Sequence, residues 1–140
     1  MKNFKYFIPA FIWMAIIFIE SSMTGDLSSG QSNIIVKFIY SIFSVPLTYQ
    51  ETISFIVRKC AHISEYIVLT LLLFYGLYKN DFTSLSLSCF ISFIYACSDE
   101  THQLFVGGRA GQIQDVLIDS IGIIIACIII YFLKKYKLRY

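Results

Sequence analysis

Four apolar runs, Phe4 to Ile19, Ala61 to Tyr78, Phe82 to Ser98 and about Val116 to Leu133, leave this chain few folds to choose from. Segments of this length and character match the hydrocarbon core of a bilayer. There, only helices or closed barrels satisfy every backbone N–H and C=O. The composition agrees: of 140 residues, 57% are hydrophobic and 14% charged, too apolar for an ordinary soluble domain. The expected fold is all-α, one domain over residues 1–140, built as a membrane bundle of four transmembrane helices. A net charge of +2 gives no reason to expect a nucleic-acid partner; the lipid bilayer is the expected one.

The first run could pass for a signal peptide. Glu20-Ser-Ser-Met-Thr lacks a small-x-small cleavage site, so an uncleaved first helix is expected. The connection that follows is long. Asp26-Leu-Ser-Ser-Gly-Gln reads as a turn with helix-cap residues. Ile34, Ile35, Phe38, Ile39, Ile42 and Phe43 then recur at helical spacing and predict an interfacial amphipathic helix in this first outer loop, ended by Pro46. Thr48-Tyr-Gln-Glu51 has the capping-box pattern and predicts a helix leading into the second span. Lys79-Asn-Asp81 reads as a tight turn. Ser84, Ser86, Ser88 and Ser92 in the third span suit close helix packing in lipid.

Basic residues set the topology. Lys2, Lys5, Lys79, Lys134, Lys135, Lys137 and Arg139 fall on one side of a four-span bundle, and Lys37, Arg58, Lys59 and Arg109 on the other. The positive-inside rule then puts both termini in the cytoplasm of a multi-pass protein, with the connections after the first and third spans facing outward.

One outward stretch stands apart. Between Ser98 and Gly122 the chain crowds Asp99, Glu100, His102, Gln103, Arg109, Asp115 and Asp119 between two apolar runs. Charged groups are costly in hydrocarbon, so they are expected to face a bundle interior or a watery cavity. At about 100° per residue, Lys59, His62, Tyr66, Leu69 and Leu73 share one helical stripe. Asp99, His102 and Gln103 share a second, and Asp115, Asp119 and Gly122 a third. The polar stripes all sit toward the outer ends of their helices and can converge on one pocket, with Glu65 and Glu20 beside it. Gly107-Gly108 frees the connection to place Arg109 against a carboxylate or an anionic ligand. The same groups could instead serve packing alone, Arg109 pairing with Asp99 or Asp115 and His62 with a carboxylate.

Metal-site motifs are weak. His62-x-x-Glu65 and Asp99-x-x-His102 offer ligands one turn apart, yet there is no HExxH and no paired-cysteine motif, so no metal or cofactor is expected. No nucleophile triad has a local signature. Of the four cysteines, Cys89 and Cys127 fall inside apolar runs and read as small hydrophobes, while a bridge between Cys60 and Cys97 is conceivable.

Lys59-x-x-His62-x-x-x-Tyr66, Asp99-Glu100-x-His102-Gln103-x-Phe105-x-x-Gly108-Arg109 and Asp115-x-x-x-Asp119-x-x-Gly122, with Ser21-Ser22 after the first span, resemble the VanZ-like membrane protein family over nearly the whole chain. The chain departs from that pattern at Gly107, where a proline is expected, at Asp119, where the family often has asparagine, and at Met23, where it has glutamine. The resemblance implies a small integral protein of the bacterial cytoplasmic membrane, linked to reduced susceptibility to teicoplanin and related lipoglycopeptides. It carries no settled reaction, so three functions stay open. The protein could modulate the envelope at the outer face, with a lipoglycopeptide or lipid-linked cell-wall precursor as partner. It could be an intramembrane enzyme on an anionic, lipid-linked substrate, with Arg109 and Lys59 holding phosphate and His102 with Asp99 moving protons. Or it could be a proton-linked carrier.

Overall fold

A computed structural model describes residues 4–24, 36, 38, 41, 47–77, 82–109 and 111–137. Among them the fold is all-α: α1 (Ile8–Ser21), α2 (Gln50–Gly76), α3 (Phe82–Gln103) and α4 (Ile113–Lys137), with single 3-10 turns at Phe4–Phe7 and Leu47–Tyr49. The expected interfacial helix lies outside the described residues except Val36, Phe38 and Ser41, which are helical; the turns at Asp26–Gln31 and Lys79–Asp81 lie outside them too.

Pro9 sits in the first turn of α1, where its missing N–H costs nothing. α2 starts well before the second apolar run and continues straight into it. The capping box does not form: Thr48 lies in the 3-10 turn, and the N-cap is Tyr49, with no side-chain cap. α3 carries its helix past Ser98 to Gln103, so the first polar residues of the crowded stretch stand on a helical turn rather than in a loop.

α2 is the hub. Trp13 Nε1 donates to the Glu65 carbonyl at 2.9 Å, and a side chain at Gly76 would meet Phe7, so α1 runs antiparallel to α2. Tyr95 donates to the Met14 carbonyl at 2.6 Å and fixes α1 against α3. α4 lies along α2 in the parallel sense. At their closest approach a Cβ on Gly122 would stand 2.4 Å from the Ile63 carbonyl oxygen, so only glycine fits there. Consequently α1 and α3 end, and α2 and α4 begin, at one end of the bundle.

The core is small: Ala10 and Ile17 of α1, Tyr66, Leu69 and Leu73 of α2, Ala96 of α3 and Ile123 of α4. Of the serines expected to ease packing, Ser84, Ser88 and Ser92 are buried on one face of α3, four residues apart, whereas Ser86 faces outward. The Ser92 and Thr70 hydroxyls are hydrogen-bonded at 2.9 Å, which joins α3 to α2 in the interior. Most large apolar side chains point outward instead, among them Phe11, Ile12, Phe90, Ile94, Ile124 and Ile128. Such a surface is unfavourable in water and at home in lipid. Two helical segments, Phe4–Ser21 and Ile113–Lys135, are long and apolar enough to cross a membrane.

Cys60 is exposed and Cys97 half-buried, and all four cysteines are free. The thiols that meet are those of Cys89 and Cys127, with sulfurs 2.8 Å apart on α3 and α4.

Candidate functional site

Three helices deliver polar side chains to the common end of the bundle. Residues 59, 62 and 66 of α2 fall about one turn apart and face inward together. Lys59 pairs with Asp115 in the first turn of α4. A carboxylate is stabilised there by the helix dipole and by the Lys59 ammonium. One turn deeper, His62 Nδ1 lies 3.5 Å from Asp119 Oδ1 and 3.9 Å from Glu65 Oε2. Asp119 is wholly buried. Tyr66, also wholly buried, closes the floor and passes into the apolar core.

The last turn of α3 contributes Asp99, Glu100 and Gln103, each at most 5% exposed. Gln103 ties them together: its Nε2 donates to Asp99 Oδ2 at 3.1 Å and to Glu100 Oε1 at 3.3 Å. Its Oε1 accepts from Arg109 Nη1 at 3.4 Å. The other Glu100 oxygen, Oε2, accepts the Gln112 backbone N–H at 2.9 Å, which anchors the connection just before α4.

Two residues go elsewhere. Arg109 pairs with neither Asp99 nor Asp115. Its Nε donates to the Met23 carbonyl at 2.8 Å and its Nη2 to the Glu20 carbonyl at 2.9 Å. The end of α1 carries the negative end of its helix dipole, so a guanidinium is stabilised there, and it shares the Glu20 carbonyl with the Met23 N–H at 3.2 Å. Gly108, with φ of 75°, makes the left-handed turn that brings Arg109 there. His102 sits on the α1 side of α3, away from His62. Its ring stacks on Phe18 at 4.6 Å, and its Nε2 lies 3.1 Å from Ser22 Oγ. The single Ser22 proton goes to the Phe18 carbonyl at 2.6 Å, so His102 Nε2 is the donor in that contact. The acid–base pair of His102 with Asp99 is not formed. Glu20 offers its carbonyl while the residue itself is exposed.

The polar balance is uneven. Among the described residues, the buried side-chain nitrogens and oxygens without a hydrogen bond are Ser21 Oγ, His62 Nδ1, Tyr66 OH, Asp99 Oδ1 and both Asp119 oxygens. All belong to this end of the bundle. Leaving a buried polar group unpaired costs about 1–3 kcal/mol, more if it is charged. Chemically, the cluster is rich in carboxylate acceptors and poor in free cations, so it favours a proton or a cation over an anion.

Beside it, between α3 and α4, lies an open apolar groove of about 400 Å³, lined by Phe93, Cys97, Leu104, Val116 and Leu117, with Glu100 at its edge. Sequence reasoning missed this groove. It also missed the parts played by Gln112 and by the carbonyls of Glu20 and Met23, because backbone groups leave no signature in residue identity.

Compared with known proteins, the chain matches the family model described as VanZ/LLP1 over residues 6–134. No curated protein and no solved structure matches it.

Proposed function

The chain belongs to the VanZ/LLP1 family, and from that premise we propose that it is a multi-pass protein of the bacterial cytoplasmic membrane that lowers susceptibility to teicoplanin-type lipoglycopeptides. Both termini lie in the cytoplasm, and the polar cluster forms a pocket at the outer face. The observation that carries this reading is the gathering of Lys59, His62, Asp99, Glu100, Gln103, Asp115 and Asp119 at one end of a bundle whose remaining surface is largely apolar. Lipoglycopeptides meet lipid-linked cell-wall precursors on that side of the membrane. Basic residues are concentrated at the opposite side, as the positive-inside rule requires.

A second reading, an intramembrane enzyme on a lipid-linked precursor, draws support from the apolar groove beside Glu100, which suits an acyl or polyprenyl chain. It is weakened by the engagement of both cations that would hold phosphate, Lys59 by Asp115 and Arg109 by backbone carbonyls.

The test is expression in a susceptible host, measuring the teicoplanin concentration that stops growth. Wild type raises it, and Asp99→Asn, at equal membrane abundance, does not. An unchanged threshold with abundant wild-type protein in the membrane rejects the proposal. In a cysteine-free background, Gly107→Cys reacts with an impermeant maleimide from outside and Lys135→Cys only after permeabilisation. Position 107 suits a probe because a Cβ there meets nothing within 4 Å.

A further inference from the structure

We propose that His62, Glu100 and Asp119 form a binding site for one divalent transition-metal ion of the zinc or manganese class.

The argument starts from geometry. One donor atom from each of His62, Glu100 and Asp119 lies within 4.8 Å of the other two, although the residues come from three different helices. The 3.5 Å between His62 Nδ1 and Asp119 Oδ1 is long for an N–H···O bond, which prefers about 2.9–3.0 Å. It is close to the separation of two ligands on one ion. With metal–ligand bonds of about 2.0–2.2 Å, two donors at a tetrahedral angle stand about 3.4 Å apart.

Unsatisfied chemistry is the second, independent observation. Asp119 is wholly buried, and neither of its oxygens accepts a hydrogen bond; His62 Nδ1 and Asp99 Oδ1 are likewise without one. Carboxylates removed from water need a proton or a compensating positive charge. Of the neighbouring cations, Lys59 is held by Asp115 and Arg109 by the carbonyls at the end of α1, and a protonated His62 would face Asp119 and Glu65 with a single charge against several carboxylates. A divalent ion would satisfy the charge and the open lone pairs together.

The donor set narrows the ion. Magnesium and calcium take oxygen ligands, whereas an imidazole nitrogen joined to carboxylates suits zinc, manganese and their neighbours. Outer contacts are already in place. Gln103 Nε2 holds Asp99 Oδ2 and Glu100 Oε1, and the Gln112 N–H holds Glu100 Oε2, so these carboxylates are oriented before an ion arrives. Each of these oxygens keeps a further lone pair for an ion.

The experiment uses the full chain in detergent micelles. The protein is stripped with EDTA, equilibrated with Zn²⁺, Mn²⁺ or Co²⁺, desalted, and its bound metal measured by mass spectrometry. The expected result is one ion per chain for Zn²⁺ or Mn²⁺, with melting at a higher temperature when loaded than when stripped. Asp119→Asn and His62→Ala should each weaken binding at least about tenfold. His102→Ala, whose ring stacks on Phe18 outside the cluster, should bind as wild type. A helical, monodisperse wild-type protein that retains no stoichiometric ion, and melts identically with and without EDTA, overturns the proposal. So does undiminished binding in Asp119→Asn. Should a variant fail to fold, the wild-type stoichiometry and melting shift decide by themselves.

Discussion

Arg109 Nη2 donates to the carbonyl oxygen of Glu20 at 2.9 Å, so the connection between α3 and α4 is tied to the end of α1 by an arginine that meets no carboxylate. With Nε on Met23, the guanidinium uses its fork on two backbone acceptors. A lysine has the charge without the fork. Arg109→Lys should therefore lower stability by about 1–2 kcal/mol, and Arg109→Gln by more, since hydrogen bonds to charged groups contribute about 1.5–3 kcal/mol. Melting temperature in detergent measures this. A lysine variant as stable as wild type would show that the clamp contributes little.

Gly122 and Gly107 make opposite predictions for the same change. At Gly122 a methyl group would stand 2.4 Å from the Ile63 carbonyl, a backbone atom that cannot swing aside, and α2 and α4 would have to separate. At Gly107 nothing lies within 4 Å. Gly122→Ala should cost about 2 kcal/mol or more, while Gly107→Ala should fall within about 0.5 kcal/mol of wild type. Equal melting temperatures for the two variants would contradict the close approach of these helices.

Lys59 and Asp115 should be energetically coupled. Both side chains are mostly buried, at 21% and 13% exposed, so removing either leaves a charge short of its partner. Lys59→Met and Asp115→Asn should each destabilise, and the double variant should cost less than their sum, by a coupling energy of about 0.5–2 kcal/mol. Strict additivity in a chemical-denaturation cycle would mean that the pair does not act as a unit.

Much of the fold follows from local pattern. The stripe of Lys59, His62, Tyr66, Leu69 and Leu73 has helical spacing, and its last three members are buried in the structure. Ser84, Ser88 and Ser92 likewise recur every four residues and bury together. Ser86, in the same run, falls on the outer face because spacing decides the side, not residue type. The polar cluster was partly legible for the same reason: residues on the inner faces of Lys59–Tyr66 and Asp115–Gly122 meet at one end. Spacing did not fix which partner each would take. Asp99, His102 and Gln103 fit one broad stripe on paper, yet the angle at which α3 presents its last turn puts Glu100 inside with Asp99 and Gln103 and turns His102 toward Phe18. The capping box at Thr48 failed similarly, because a 3-10 turn moved the helix start to Gln50.

By itself the sequence determined an all-α chain of apolar helices with its charge crowded toward particular helix ends, since hydrophobic periodicity and backbone satisfaction are local requirements. Only the tertiary structure decided that Asp119 is sealed against His62, that Arg109 clamps carbonyls rather than carboxylates, and that Cys89 meets Cys127. Those outcomes depend on the rotation and closest approach of packed helices. That geometry is set by small side chains such as Gly122 and by backbone groups on which residue identity is silent.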